Sequence, residues 1–310
     1  MGIIAIVLTI CAFLCLLLAF ILYWVFFRSP QKGQNDIHNL PRIGQFLTMR
    51  NTMLALIDEF AAVPFEPVFT HSYDGLRLAG KYYHIQDNAP LVICFHGYRG
   101  TSLRDFCGVS RLLQKSGFNF LLIDQRAHGK SEGHTTTFGA KERLDCLSWI
   151  NYCIDRFGIK QRIALYGVSM GASTVLLASG KNLPSNIHKI IADCPYSSAK
   201  AISYKVCREM KLSPRLLYPF VSLGAFLFGQ FKLSDCDVIA AVKKANVPIL
   251  IIHGEADNFV PCEMSQEIAA ANQSLIRRET FSNAGHGLSF LVDSEKYEQL
   301  LSDFLDIRKR

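Results

Sequence analysis

Apolar residues fall into one long run and a series of short ones along the chain. Residues 2–27 contain no charged side chain and form the long run. From residue 91 onward, short apolar runs alternate with segments in which apolar residues recur every three or four positions. Buried strands that alternate with helices produce this pattern. We therefore predict an α/β fold with a mainly parallel sheet and helices on both faces.

The short runs place the individual elements. Two leading strands, at 68–73 and 76–85, flank Asp74-Gly75, a dipeptide typical of short hairpins. Buried strands are predicted at 91–95, 118–123, 163–166, 189–192, 249–253 and 277–281. Helices are predicted at 102–116, 140–156 and 200–210, and others follow residues 169, 261 and 287.

The long apolar run predicts a retained membrane anchor over residues 1–28. About 20 apolar residues suffice to cross a bilayer, and the aromatic end of the run resembles an interfacial belt. A cleaved signal peptide fits less well, because no basic stretch precedes the run, the run exceeds a usual signal core and no small-x-small site precedes Arg28. The basic residues after the run, Arg28, Lys32, Arg42 and Arg50, place the bulk of the chain on the cytoplasmic side.

The remaining chain divides into a short connecting region and one domain. Residues 29–62 combine a polar linker with an amphipathic helix formed by Ile43, Phe46, Leu47, Leu54, Ile57 and Phe60. That helix either lies on the membrane surface or, as is commoner, packs on the domain. Residues 63–310 form the domain. The strand pattern stops between about 196 and 245, which we interpret as an inserted helical cap over the cleft.

Composition narrows the class of protein. A chain of 310 residues with 50% hydrophobic content can build one substantial core. The net charge of +7 is scattered, so nucleic-acid binding is not expected. The ten cysteines show no metal-type C-x-x-C pair, and several lie inside apolar runs, as free cysteines of a reducing compartment do. No metal or cofactor is expected.

The candidate nucleophile is Ser169. Gly167, Ser169 and Gly171 form the pattern G-x-S-x-G between a predicted strand and a predicted helix. A serine at the top of such a sharp turn leaves no room for side chains two positions before and after it, which explains both glycines. The turn exposes the serine hydroxyl at the edge of the sheet.

A serine hydroxyl needs a neutral imidazole to take its proton and a carboxylate to orient that imidazole. His286 follows the last predicted strand and Asp257 follows the strand before it, so both lie at the same sheet edge as Ser169. The chain order Ser169, Asp257, His286 is that of α/β-hydrolase triads. Asp193 and Glu255 are alternative acids, and we prefer Asp257 because the usual acid follows the strand before the last one.

An oxyanion hole requires two backbone donors near the nucleophile. One is the N–H of Met170, directly after the serine. The other is expected from the loop after strand 91–95, which assigns it to the N–H of Tyr98.

The motifs together carry a family resemblance. They are HGYRG (96–100), DQRAHGKSEG (124–133), GVSMG (167–171), HGEAD (253–257) and AGHG (284–287). From about residue 66 to the C-terminus, the chain resembles the α/β-hydrolase superfamily, in particular YqkD-like membrane-anchored bacterial serine hydrolases and related ABHD-type proteins. The resemblance implies the α/β-hydrolase fold, the triad and acyl transfer. It also favours structural roles for His96, Asp124, Arg126 and His128. We interpret His253 as a core residue.

The sequence thus predicts a serine hydrolase that cleaves carboxylic esters through an acyl-enzyme on Ser169. The apolar cap and the anchor favour a small-molecule ester with a lipophilic acyl group, such as a lipid. An acyl thioesterase or a serine peptidase would use the same triad. A membrane-tethered binding protein without catalysis is the alternative of a different class. Haloalkane dehalogenase and epoxide hydrolase chemistry is not expected, because both use an aspartate where this chain has serine.

Overall fold

The computed structural model describes residues 2–29, 36–42 and 44–307. The predicted linker positions 30–35, which include Lys32, and Ile43 of the predicted amphipathic helix lie outside these residues.

Within residues 44–307, eight strands form one sheet in the order β1-β2-β4-β3-β5-β6-β7-β8. The pairs β1-β2 and β2-β4 are antiparallel, and all other neighbours are parallel. The strands are β1 (Glu66–His71), β2 (Arg77–Tyr83), β3 (Leu91–Phe95), β4 (Asn119–Asp124), β5 (Ile163–Val168), β6 (Ile187–Asp193), β7 (Ile249–Gly254) and β8 (Ile276–Phe281). The mainly parallel sheet predicted from the sequence is confirmed.

Helices cover both faces of the sheet. The α-helices of the described residues are α1 (Gly2–Phe26), α2 (Gln45–Thr48), α3 (Arg50–Ala61), α4 (Ser102–Lys115), α5 (Glu142–Phe157), α6 (Met170–Ser179), α7 (Ala199–Glu209), α8 (Pro214–Leu227), α9 (Val238–Val242), α10 (Cys262–Ala270), α11 (Ser289–Val292) and α12 (Ser294–Leu305). Helices α7, α8 and α9 lie between β6 and β7, where the sequence predicts the insertion.

The central strands are buried on both faces. In β4, Leu121 and Ile123 point into the core beneath α5 and α6, whereas Phe120 and Leu122 point into the core beneath α3, α4 and α12. Because successive side chains of a strand alternate between faces, a strand covered on both sides must be apolar at nearly every position. This requirement explains why β3, β4, β5 and β7 appear in the sequence as unbroken apolar runs.

The connection between β1 and β2 is longer than the predicted hairpin at Asp74-Gly75. β1 ends at His71 and β2 begins at Arg77. The Ser72 Oγ accepts a hydrogen bond from the backbone N–H of Leu76 at 2.8 Å, and the Asp74 carboxylate accepts one from Arg126 at 3.0 Å. The Ser72 N–H still donates to the carbonyl oxygen of Leu76 at 2.9 Å, but the return bond from the Leu76 N–H goes to the Ser72 side chain, and both strands stop before the turn.

The described part of the predicted amphipathic segment packs on the domain. It forms α2 and α3, which meet at Met49. The side chains of Met53, Ile57 and Phe60 are buried in the core that also contains the inner face of α4. Of the two alternatives, packing on the domain and lying on the membrane surface, the structure shows packing on the domain.

The N-terminal helix α1 is 25 residues long and has no charged side chain. At 1.5 Å per residue it measures roughly 37 Å, more than the hydrocarbon thickness of a bilayer. Its apolar side chains are mostly exposed, whereas Ala19, Tyr23 and Phe26 are buried against the rest of the protein. By length and composition α1 is a candidate membrane span.

Helix α1 packs closely on α8 at Gly224. A Cβ atom at Gly224 would lie 2.3 Å from the backbone carbonyl oxygen of Ala19. The ring of Phe228, directly after α8, lies 5.2 Å from the ring of Phe20 and 5.9 Å from that of Tyr23. The absence of a side chain at Gly224 is what lets the two helix backbones approach.

Replacing Gly224 by leucine is expected to separate α1 from α8. No side chain fits against the Ala19 carbonyl, so the unfolding free energy should fall by about 1–3 kcal/mol, as in other overpacked sites. Thermal unfolding of the full-length protein in detergent micelles measures this change. Ser222→Ala, on the same helix, is the control and should leave the melting temperature nearly unchanged. Equal stability of Gly224→Leu and the control would contradict the close approach.

Candidate active site

The backbone at Ser169 forms a sharp turn between β5 and α6. Ser169 has φ +56° and ψ −114°, a conformation that side-chain-bearing residues rarely adopt. A Cβ atom at Gly167 would lie 2.2 Å from the backbone of Gly171, and one at Gly171 would lie 1.8 Å from the carbonyl oxygen of Phe95. Neighbouring backbone therefore requires glycine at both positions.

The structure brings Ser169, His286 and Asp257 into direct contact. The Ser169 hydroxyl lies 2.8 Å from His286 Nε2, and His286 Nδ1 lies 2.7 Å from Asp257 Oδ2. Ser169 follows β5, Asp257 follows β7 and His286 follows β8, so all three lie at the carboxyl edge of the parallel sheet. If His286 is neutral and donates from Nδ1, its Nε2 lone pair faces the serine proton, the arrangement that a general base requires.

Asp257 is held in its ionised form. Its Oδ1 accepts hydrogen bonds from the backbone N–H groups of Phe259 and Val260, both at 2.8 Å. Burial is the largest single influence and raises the pKa of Asp257. The hydrogen bonds from His253, His286 and the backbone N–H of Val260, together with the electrostatic attraction of His286, lower it by more in sum, so the net pKa lies well below the ordinary value. An ionised carboxylate in this position orients the ring of His286 and can stabilise the imidazolium form of that ring.

His253 has a second contact that sequence reasoning missed. It is fully buried, as expected of a core residue. Its Nε2 also lies 3.2 Å from Asp257 Oδ2 and 3.0 Å from the carbonyl oxygen of Val260. Both neighbours accept hydrogen bonds only, so Nε2 must carry the proton and donate. The only signal in the sequence is the spacing of four residues between His253 and Asp257. That spacing indicates a contact only if the conformation of the turn after β7 is known.

The two alternative acids do not contact His286. The backbone carbonyl of Asp193 accepts the N–H of Ser169 at 2.8 Å, while its carboxyl group accepts the hydroxyl of Tyr297 at 2.7 Å. Burial raises the pKa of Asp193 to about 6. Glu255 accepts hydrogen bonds from Thr280 and Ser282 at the surface.

The loop that carries Tyr98 is fixed beside the serine. A Cβ atom at Gly97 would lie 3.3 Å from Ser169 Cβ, and the Gly97 N–H donates to Asp105 Oδ2 at 2.6 Å. Among the described residues, no protein group accepts a hydrogen bond from the backbone N–H of Tyr98 or Met170. Both donors therefore stay available to a ligand next to Ser169.

The polar residues predicted to have structural roles hold the surrounding loops. His128 Nε2 accepts the backbone N–H of Arg99 at 3.1 Å, and burial lowers the pKa of His128 to about 3, so it stays neutral. His96 Nε2 accepts the N–H of Gln125 at 3.1 Å. Arg126 pairs with Asp145 at 2.6 Å. These contacts support the shape of the site without reaching the Ser169 hydroxyl.

A cavity of about 210 Å³ opens beside Ser169 on the side of α7. Its walls are mostly apolar and come from α7, from the loops near the site and from the last turn of α1; they include Val25, Phe26, Phe138, Ile202, Val206 and Met210. A second cavity of about 290 Å³ lies on the side of α3, where Arg104 and Asp105 join apolar side chains and His286. Ser169 and Tyr98 border both cavities.

One group of side chains in the described part of the chain has spacing compatible with a metal ion. Its members are Cys194, Asp257 and His286, whose candidate ligand atoms lie within 4.8 Å of one another. Burial raises the pKa of the Cys194 thiol well above its ordinary value. A thiol that keeps its proton is a poor ligand, and Asp257 and His286 already bond to each other, so the donor set does not fit a metal.

Comparison with known proteins supports the same fold. A family model described as the alpha/beta hydrolase fold matches residues 90–226. The uncharacterized protein YqkD of Bacillus subtilis is 26% identical over 229 residues, which are 73% of this chain and 75% of YqkD. The lysophosphatidylserine lipase ABHD12 of Danio rerio is 26% identical over 237 residues, which are 71% of this chain and 59% of that protein.

A solved structure extends the likeness to three dimensions. The esterase Pf2001 of Pyrococcus furiosus superposes with a TM-score of 0.65 at 25% sequence identity, and the match covers 80% of this chain and 92% of the esterase. The fold and these neighbours support a hydrolase. The chain has the α/β-hydrolase fold and resembles the hydrolases of that superfamily.

Proposed function

We propose that this protein is a serine hydrolase that cleaves carboxylic esters through an acyl-enzyme on Ser169. The observation that carries the proposal is the chain of short contacts from the Ser169 hydroxyl through His286 to Asp257. A buried ionised carboxylate, an oriented imidazole and a hydroxyl in line form the machinery of nucleophilic acyl transfer.

In the first half-reaction, Ser169 Oγ forms a bond to the ester carbonyl carbon as its proton moves to His286 Nε2. The carbonyl oxygen becomes an oxyanion, and the N–H groups of Tyr98 and Met170 donate hydrogen bonds to it. When the tetrahedral intermediate collapses, the bond to the leaving alkoxide breaks and His286 returns the proton to that oxygen. Each oxyanion donor is worth about 3–4 kcal/mol in a well-studied protease.

In the second half-reaction, water replaces the alcohol. His286 takes a proton from the water as the water oxygen bonds to the acyl carbon, and the same donors hold the second oxyanion. The bond between the acyl carbon and Ser169 Oγ then breaks, and the serine recovers its proton from His286. The products are a carboxylic acid and free enzyme.

The cavity beside α7 favours a lipophilic acyl group. Phe138, Ile202 and Val206 line it next to Ser169, so a hydrocarbon chain would lose contact with water there. The named activities of ABHD12 and Pf2001, a lysophosphatidylserine lipase and an esterase, support ester chemistry. We also propose that α7 and α8 act as the cap of the cleft, since Ile202 and Val206 belong to α7.

We infer further that α1 spans a membrane as a single anchor. Arg28, Arg42 and Arg50 follow α1, so the positive-inside rule favours the cytoplasmic side for the domain.

A panel of nitrophenyl esters, from acetyl to dodecanoyl, tests the proposal on the full-length protein in detergent. Each buried methylene contributes about 0.8 kcal/mol, so kcat/KM should rise about fourfold per methylene until the cavity is full. Matched thioesters and anilides serve as comparison substrates. A preference for the acetyl ester would reject the lipophilic acyl group. Faster cleavage of thioesters would favour a thioesterase, and faster cleavage of anilides would favour a peptidase. A folded protein without activity would favour a non-catalytic binding protein.

A further inference from the structure

The wall of the apolar cavity includes the membrane helix itself. Val25 and Phe26, in the last turn of α1, line the cavity together with Ser169. Phe27, the next residue, is fully buried, and its ring lies 5.2 Å from those of Phe138 and Phe231. The end of α1 is therefore part of the candidate active site.

The loop that carries Tyr98 holds this end of α1 in place. Tyr98 Oη donates a hydrogen bond to the carbonyl oxygen of Phe26 at 2.8 Å, and Arg99 Nη2 donates one to that of Val25 at 2.8 Å. Carbonyl groups in the last turn of a helix lack partners within the helix, and a positive charge there is favourable. The contacts fix the site at a defined height relative to the span.

With α1 as a membrane span, the end of α1 that lines the cavity lies at the surface of the bilayer. Trp24 is half exposed, and the guanidinium of Arg28 lies 4.2 Å from the centre of its ring. Tryptophan and arginine at the end of an apolar span mark the boundary between acyl chains and headgroups. Val25 and Phe26 lie at the same level, so the cavity beside them is adjacent to the lipid.

Helix α8 enters the bilayer if α1 spans it. The C-terminal end of α8 packs on α1 at Ala19 and Tyr23, which lie about 5–10 Å deeper along the helix axis than Phe26. This is the depth at which interfacial helices bury their apolar faces. Three consecutive side chains at this end, Phe226, Leu227 and Phe228, are exposed. The acyl region of the bilayer is the surface that would cover them.

Two of the residues that line the cavity are also exposed at the surface of the protein. Val25 on α1 is 48% exposed and Met210, directly after α7, is 53% exposed, although both line the cavity. An opening between these two apolar side chains, next to a membrane span, would admit a hydrocarbon chain without passing it through water.

We propose that the substrate is an ester lipid of the surrounding bilayer, whose acyl chain enters sideways between the end of α1 and Met210. This inference rests on the proposed function and specifies its substrate class. The bilayer delivers the chain to the apolar cavity, and the ester carbonyl reaches Ser169 at the level of the headgroups.

The immersion of α8 can be tested without any activity. Trp24 and Trp149 are the two tryptophans of the chain, and Trp149 is fully buried. In a Trp24→Phe background, the fluorescence of the tryptophan introduced by Phe226→Trp should be quenched strongly by phosphatidylcholine brominated on its acyl chains. Ile159→Trp is the control, because Ile159 is 54% exposed at the opposite edge of the sheet, and it should not be quenched. Equal quenching of the two variants would overturn the immersion of α8.

The route of the acyl chain is tested with Met210→Trp in phosphatidylcholine vesicles. The substrates are methylumbelliferyl oleate within the bilayer and methylumbelliferyl acetate in the water. A larger side chain at the rim should lower oleate hydrolysis by about tenfold more than acetate hydrolysis. Ile159→Trp should change neither rate. An equal effect of Met210→Trp on both esters, or no effect, would overturn the lateral route, whereas a wild type that cleaves neither ester would overturn the proposed function.

Discussion

Replacing Ser169 with alanine is expected to lower kcat for ester hydrolysis by about 10⁴ to 10⁶-fold. The substitution removes the oxygen that attacks the ester but keeps the Cβ atom and the backbone turn. His286 and Asp257 then have no nucleophile to activate, and the residual rate comes from binding and the oxyanion donors. Steady-state kinetics with a dodecanoyl ester in detergent measures the loss.

A second serine on the same helix provides the matched control. Ser173 is buried one turn after Ser169, and its hydroxyl accepts the N–H of Tyr196 at 3.1 Å instead of facing His286. Ser173→Ala should remove this hydrogen bond and the one that the Ser173 hydroxyl donates to the carbonyl oxygen of Tyr196 at 3.2 Å. The loss should cost about 1–3 kcal/mol of stability and should leave kcat within a few-fold of wild type. A Ser169→Ala variant that turns over as fast as Ser173→Ala would contradict the assignment of the nucleophile.

Asp257→Asn is expected to lower kcat by about 10⁴-fold, the loss seen for the same change in a well-studied serine protease. Asparagine keeps the shape of the side chain but can present an N–H group to His286. The imidazole would then carry its proton on Nε2, where it cannot accept the serine proton. The loss should appear in kcat. The melting temperature should also fall, because the ionised carboxylate that His253 and His286 stabilise is lost.

Asp193→Asn tests whether Asp193, rather than Asp257, is the acid of the triad. Both aspartates are buried at carboxyl ends of neighbouring strands, but only Asp257 contacts His286 within the described residues. Asp193→Asn should keep kcat within about tenfold of wild type. If Asp193→Asn instead lost the activity and Asp257→Asn kept it, the acid of the triad would be misassigned.

The sequence predicts the features that depend on local physics. Strands β3, β4, β5 and β7 are buried on both faces, so their apolar runs could be recognised without knowing their neighbours. The turn at Ser169 requires Gly167 and Gly171, and this steric rule is visible within five residues. Parallel order then brings the ends of β5, β7 and β8 to one edge. The catalytic roles of the residues there stay predictions that the substitutions above test.

Features that depend on packing between distant segments could not be predicted. The hydrogen bond from Tyr98 to Phe26 joins residues 72 positions apart, and nothing near either residue indicates it. The long apolar run indicates an anchor but not that its last turn completes a cavity. His253 contacts Asp257 only because of the turn between them. Removal of residues 1–28 would delete Val25, Phe26 and Phe27 from the site, so activity should be measured on the full-length chain.

The most direct test of the account is the position of a covalent adduct. Full-length protein is incubated with an alkyl fluorophosphonate, digested, and analysed by tandem mass spectrometry. We predict a phosphonyl group on Ser169 in the wild type and no adduct in Ser169→Ala. An adduct on another residue, or equal labelling of wild type and Ser169→Ala, would contradict the claim that Ser169 carries the acyl group.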